Sequence, residues 1–123
     1  MLKKSRASKT AWFAKVARKA NIPDAALCKA LPEIELGQAA DLGGGVFKKR
    51  LNDNLFRAIV LTRFGQWWVY EYLFAKKDCA NIDAVELEQF RALSRNYSKL
   101  SEAQLSRLID SKHFVEICHG HPA

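Results

Sequence analysis

Five cationic side chains carry the chemistry available to this sequence. Lys48, Arg50 and Arg57 stand in GGGVFKKRLNDNLFRAIVL (residues 43–61), and Lys76 and Lys77 follow in YLFAKKDCANI (residues 72–82). VFKKRL, LFRAIVLTRF and WWVYEYLFA have the β-branched and aromatic composition of strands. Alternate residues of a strand share a face, so Lys48 and Arg50 lie together while Lys49 points away beside Phe47 and Leu51. A four-residue turn Leu51–Asn54 sets Lys48 opposite Arg57, and a three-residue turn sets Lys49 there. A two-residue Gly65-Gln66 turn pairs Arg57 with Phe74 and Leu55 with Lys76, with Tyr72 and Tyr70 farther along that face. One register thus gathers Lys48, Arg50, Arg57, Tyr72 and Lys76, with Lys77 at the strand's exit. Several cations beside an aromatic ring suit single-stranded RNA, whose phosphates take the charge while a base stacks. The competing reading is a solvated sheet face, on which lysines are ordinary. Arg57 favours the first, because a lysine would serve solubility as well in that apolar strand.

These strands need elements to hold them. TAWFAKVARKANI reads as an amphipathic helix with Trp12 or Phe13, Val16 and Ala20 inward. DAALCKALPEIELG reads as a second helix, with Asp24 as N-cap, Gly37 as its stop and Pro32 as a point where it kinks or splits. After the three-strand meander, IDAVELEQFRALSRNY is a helix capped by Asp83, and Ser101 with Gln104 forms a capping box for the next. VEICHGHPA allows a short terminal strand. The class is α+β: an N-terminal αα-hairpin, a central antiparallel β-meander and C-terminal helices.

The chain has 123 residues, the size of one domain spanning 1–123, and carries a net charge of +7. The first twenty residues hold Lys3, Lys4, Arg6, Lys9, Lys15, Arg18 and Lys19 with no acidic residue, so residues 1–9 read as a basic arm and 118–123 as a flexible tail. An anionic partner fits this charge: nucleic acid, an acidic protein or a membrane surface. No apolar h-region follows the first lysines and no apolar run is long enough for a bilayer, which points to the cytoplasm and away from membrane. Cys28, Cys79 and Cys118 lack CxxC spacing, and a reduced, disulfide-free chain is expected. His113, Cys118, His119 and His121 match no standard zinc spacing, so no metal or other cofactor is expected. Trp67 and Trp68 point to opposite faces and read as packing. Gly43, Gly44 and Gly45 precede a strand with no GK[ST], so they do not form a phosphate loop.

DLGGGVFKKR, the arginine of LFRAIVL and YLFAKKDCANI resemble the RelE/HigB-type toxins of bacterial type II toxin–antitoxin systems, in the subgroup with a Gly-rich lead into a KKR strand and an FAK…NI motif. The resemblance covers nearly the whole chain. It implies a small-RNase-like fold and a metal-independent mRNA endonuclease, acting on mRNA on the ribosome and held inactive by a cognate HigA- or RelB-like antitoxin. The family's Lys-x-Lys pair falls on Lys48 and Arg50, its arginine on Arg57 and its later basic residue on Lys77, with Lys76 beside it. The family's tyrosine has no counterpart, its position lying close to Asp83. The implied reaction is attack of a ribose 2′-hydroxyl on its own 3′-phosphate, which needs a base, charge stabilisation and an acid. Arg57 and Arg50 are then the charge stabilisers and Lys48 a base or acid, while Lys76 and Lys77 position the backbone. Lys49 and Tyr72 are RNA-binding candidates, Tyr72 by stacking. A gyrase-directed toxin of the ParE type and a non-catalytic basic nucleic-acid-binding module are the alternatives.

Overall fold

A computed structural model describes residues 6–79 and 81–118. Its elements are β1 (Arg6–Thr10), α1 (Ala11–Lys19), α2 (Asp24–Glu35), β2 (Ala40–Gly43), β3 (Val46–Leu51), β4 (Phe56–Arg63), β5 (Trp67–Ala75), α3 (Ala84–Ser98), α4 (Glu102–Asp110) and β6 (Phe114–Ile117). The six strands form one sheet in the order β2-β3-β4-β5-β1-β6, antiparallel except where β1 runs parallel to β5. The architecture is α+β, consistent with a RelE-like fold.

Apolar residues on both faces of the sheet bury it between two helical layers. On one face α1 and α2 supply Phe13, Ala17, Leu27, Leu31 and Ile34 against Ala58, Val60, Trp68 and Tyr70. On the other, Tyr97 and Leu105 close over Val46, Ile59, Leu61, Trp67, Val69 and Phe74. Trp67 and Trp68 thus serve opposite cores, as strand alternation requires.

Local chemistry sets the helix ends. Thr10 Oγ1 accepts from Phe13 N to cap α1. Capping boxes start α3 (Asp83 with Glu86) and α4 (Ser101 with Gln104). Gly37 follows α2 with φ +85°. Asp24 is not the N-cap of α2: Pro23 holds that position, and the Asp24 carboxylate instead takes the Lys9 ammonium at 2.5 Å. Pro32 leaves α2 continuous from Asp24 to Glu35.

Several expectations about the ends of the chain are overturned. Arg6–Thr10 is an internal strand rather than part of a basic arm, because Ala7 and Ser8 are fully buried between β5 and β6. Its polar members find partners there: Ser8 Oγ accepts from the buried Trp67 Nε1, and Arg6 pairs with Glu116. The chain is not disulfide-free, since Cys28 on α2 is bonded to Cys118 just past β6. Widely separated cysteines meet because α2 and the end of β6 pack into the same core. Cys79 is free and exposed. The tail residues 119–123, with His119 and His121, lie outside the described residues.

Gly44 and Gly45 form the two-residue β2–β3 turn, with φ of +65° and +82° as a type I′ turn demands. An added Cβ at Gly45 would run into the Ser94 hydroxyl of α3, and one at Gly44 into the Arg91 stem. The triple glycine therefore seats α3 against the sheet edge, where Arg91 also donates to Leu42 O.

Candidate RNA-binding face

The pairing of β3 with β4 differs from both registers considered from the sequence. Arg50 stands opposite Arg57, Lys48 opposite Ile59 and Leu51 opposite Phe56, so the loop is Asn52–Leu55. Asn52, Asp53 and Asn54 all take left-handed conformations (φ 52°, 54° and 71°), which Asn and Asp tolerate best among non-glycine residues. The slip from the four-residue expectation is two positions, an even number. Lys48, Arg50 and Arg57 therefore stay on one face.

The next hairpin contains two compensating differences. Arg63 pairs with Trp67, so the loop has three residues, Phe64–Gln66, rather than two. Glu71 then bulges out between the pairs Ile59–Tyr72 and Val60–Tyr70. The sum restores the expected Arg57–Phe74 pair, and Lys76 N donates to Leu55 O at 2.9 Å. The bulge separates Tyr70 from Tyr72: Tyr70 faces α1 and α2, donating its hydroxyl to Leu27 O at 2.6 Å, while Tyr72 faces α3. Tyr70 is thus not on the cationic face.

Two adjacent rows result on the α3 face, Lys48–Ile59–Tyr72 and Arg50–Arg57–Phe74, running toward the Asn52–Leu55 end of the sheet. Arg57 is 7% exposed, and its Nη1 donates to Asn54 O (2.9 Å) and Phe56 O (3.3 Å), bracing the loop. Arg50 is exposed beside it. Like charges directly opposite on neighbouring strands oppose folding, so this pair carries a local cost. Lys76 and Lys77 are exposed and line an open, mostly apolar cleft with Leu55, Phe56 and Ala75 at the same end. Lys49 is not with the others: it lies on the α2 face, ion-paired to Glu33 at 3.0 Å.

Sequence reasoning assigned no role to Asn81, although it lies in the quoted FAKKDCANI stretch. The β5–α3 connection brings Asn81 Oδ1 to 3.2 Å from Lys48 Nζ, and the same oxygen accepts from Ile82 N. Lys48 is thereby oriented by a neutral acceptor. Asp83, where the family's tyrosine would fall, caps α3 through Glu86 N. Trp12 and Phe13 are alternative candidates for the inward position of α1. Phe13 takes the core position, and Trp12, 47% exposed, stacks on Tyr72.

The bulged Glu71 accepts a 2.5 Å hydrogen bond from the Tyr97 hydroxyl under α3. Burial raises the Glu71 carboxyl above its ordinary value, and the Tyr97 hydrogen bond draws it part of the way back. Burial, reinforced by the Glu71 charge, raises the Tyr97 phenol. A carboxyl that holds its proton more tightly when folded stabilises the fold below its ordinary pKa, and that contribution is lost as pH rises through the folded value. Glu71→Gln is therefore expected to flatten the fall in urea midpoint as pH rises above the ordinary carboxylate range. Parallel profiles for parent and variant would refute this role.

Among the described residues no group of three or more His, Cys, Asp or Glu side chains could hold a metal ion, and no helix is long and apolar enough to cross a membrane. No curated protein and no solved structure matches the chain. The family model described as the RelE toxin of the RelE/RelB toxin–antitoxin system matches residues 5–117. That span takes in every strand and helix of the sheet and both cationic rows, and the chain belongs to the RelE toxin family, toxins whose partner is an antitoxin.

Proposed function

We propose that this toxin is an mRNA endoribonuclease that acts on ribosome-associated message and so inhibits translation and growth. The observation that carries the reading is the Arg50–Arg57 cross-strand pair flanked by Lys48, a cluster of like charges that a phosphodiester between them would neutralise.

In this reading the exposed Arg50 guanidinium grips the non-bridging oxygens of the scissile phosphate. Arg57, with Nη1 held by Asn54 O and Phe56 O, presents the rest of its guanidinium in a fixed orientation. The reacting ribose 2′-hydroxyl attacks the adjacent phosphorus, forming a new O–P bond as the bond to the 5′-oxygen breaks. Lys48, steered by Asn81, exchanges a proton with one of these two oxygens, and water gives or takes the other proton, so that the 2′-hydroxyl loses one and the 5′-oxygen gains one. Lys76 and Lys77 hold the flanking backbone at the mouth of the apolar cleft. Lys49, committed to Glu33 on the other face, contributes to RNA only through phosphates that wrap the sheet edge. The antitoxin is of HigA or RelB type, and the compartment is the cytoplasm.

The test is a cell-free translation reaction with the purified protein, reading mRNA ends by primer extension, in parallel with a gyrase supercoiling assay. Cleaved message with unaffected gyrase is expected. Inhibited gyrase with intact message would assign the chain to the gyrase-directed class instead.

A further inference from the structure

We propose that Trp12 is a nucleobase-stacking subsite for the RNA strand gripped by Lys48 and Arg50. This inference rests on the ribonuclease reading above and adds a residue on α1 to a site otherwise built from β3, β4 and β5.

A tryptophan at the first turn of a helix beside a large core would ordinarily turn inward. Here Phe13 takes the core position at 0% exposure, while Trp12 stays 47% exposed. Its indole does not hang free. It lies nearly flat on Tyr72, with ring centroids 5.2 Å apart and planes 16° from parallel. Tyr72 is supported in turn by Phe90 (5.8 Å) and Phe74 (5.9 Å). The result is an aromatic column rooted in the α3 core and ending in the indole.

The geometry of the sheet makes this reach possible. β1 pairs with β5 only as far as Lys9–Tyr70, so β5 beyond Tyr70 has no strand on that side and α1 begins there. Trp12 can therefore reach the edge of β5 and rest on Tyr72, whose side chain faces the cationic side because of the Glu71 bulge. Tyr72 is in the same cross-strand row as Lys48, two strands away, which is about 10 Å. One short stretch of single strand can place a phosphate on the cations and a base on the indole. Aromatic platforms beside a cationic groove are how proteins hold unpaired nucleotides with little base preference. Tyr72, covered by Trp12, serves as the support of the platform, and Trp12 presents the open ring.

The experiment compares Trp12→Phe, Trp12→Leu and Trp12→Met with the parent in the cell-free cleavage assay, with urea midpoints to confirm folding. The ringless variants are expected to cleave roughly tenfold or more slowly. Trp12→Phe should recover most of the rate. Parent-like cleavage by both ringless variants overturns the inference and leaves the nuclease reading standing, whether or not they lose grip on the antitoxin. Equal loss in all three folded variants also overturns it, since a ring would then not be what matters. If the parent itself cleaves no message, the nuclease reading fails and this inference with it.

Discussion

Arg50→Ala is expected to slow mRNA cleavage by roughly a hundredfold or more and to abolish growth arrest, without loss of stability. The rate effect follows from removing a preorganised cation from the scissile phosphate, a change of about 100- to 1000-fold in comparable sites. The stability expectation follows from position. Arg50 is exposed and opposite Arg57, so its removal relieves a like-charge pair. Arg57→Ala differs: it deletes the Nη1 donor to Asn54 O and Phe56 O, and leaves the Asn52–Leu55 loop without its brace. That variant should lose both cleavage and stability, by about 1–3 kcal/mol for a part-buried charged hydrogen bond. Arg57→Lys separates the two effects, because it keeps charge but not the planar fork. If a folded Arg50→Ala cleaves message at the parent rate, the phosphate assignment is wrong. Urea unfolding and primer extension on the same preparations read both quantities.

Breaking the Cys28–Cys118 bond is expected to lower the stability of this chain sharply. The bond joins residues separated by 90 positions and ties the end of β6 to α2. Cross-linking a loop of that length restricts the unfolded chain by about 4–5 kcal/mol in the loop-entropy account. Cys118→Ser should therefore lower the urea midpoint sharply, and reductant should bring the parent to the same value while leaving the variant unmoved. A parent indifferent to reductant would show that the cross-link contributes nothing. Cleavage by the reduced, still-folded protein should persist, since Lys48, Arg50 and Arg57 lie on β3 and β4 at the other side of the sheet from β6.

Much of the positioning frame was legible from residue pattern alone. β3, the meander of β3, β4 and β5, and the caps of α3 and α4 stand where composition and capping chemistry place them. So does the sharing of a face by Lys48 and Arg50, because strand alternation is a local property, whereas Arg57 joins them only through the β3–β4 register. β1 was not legible: RASKT is short and polar, and only burial between β5 and β6 makes it a strand. The partner of Arg57 was settled by three consecutive left-handed residues in one loop, and the split of Tyr70 from Tyr72 by a bulge at Glu71. The disulfide and the Trp12–Tyr72 stack join positions 90 and 60 residues apart, which no local pattern encodes. Periodicity, caps and parity act over a few neighbouring residues, so the sequence alone determined most of the elements and the shared face of Lys48 and Arg50. Register, partners and long-range contacts depend on how distant segments pack together, and these only the tertiary structure decided.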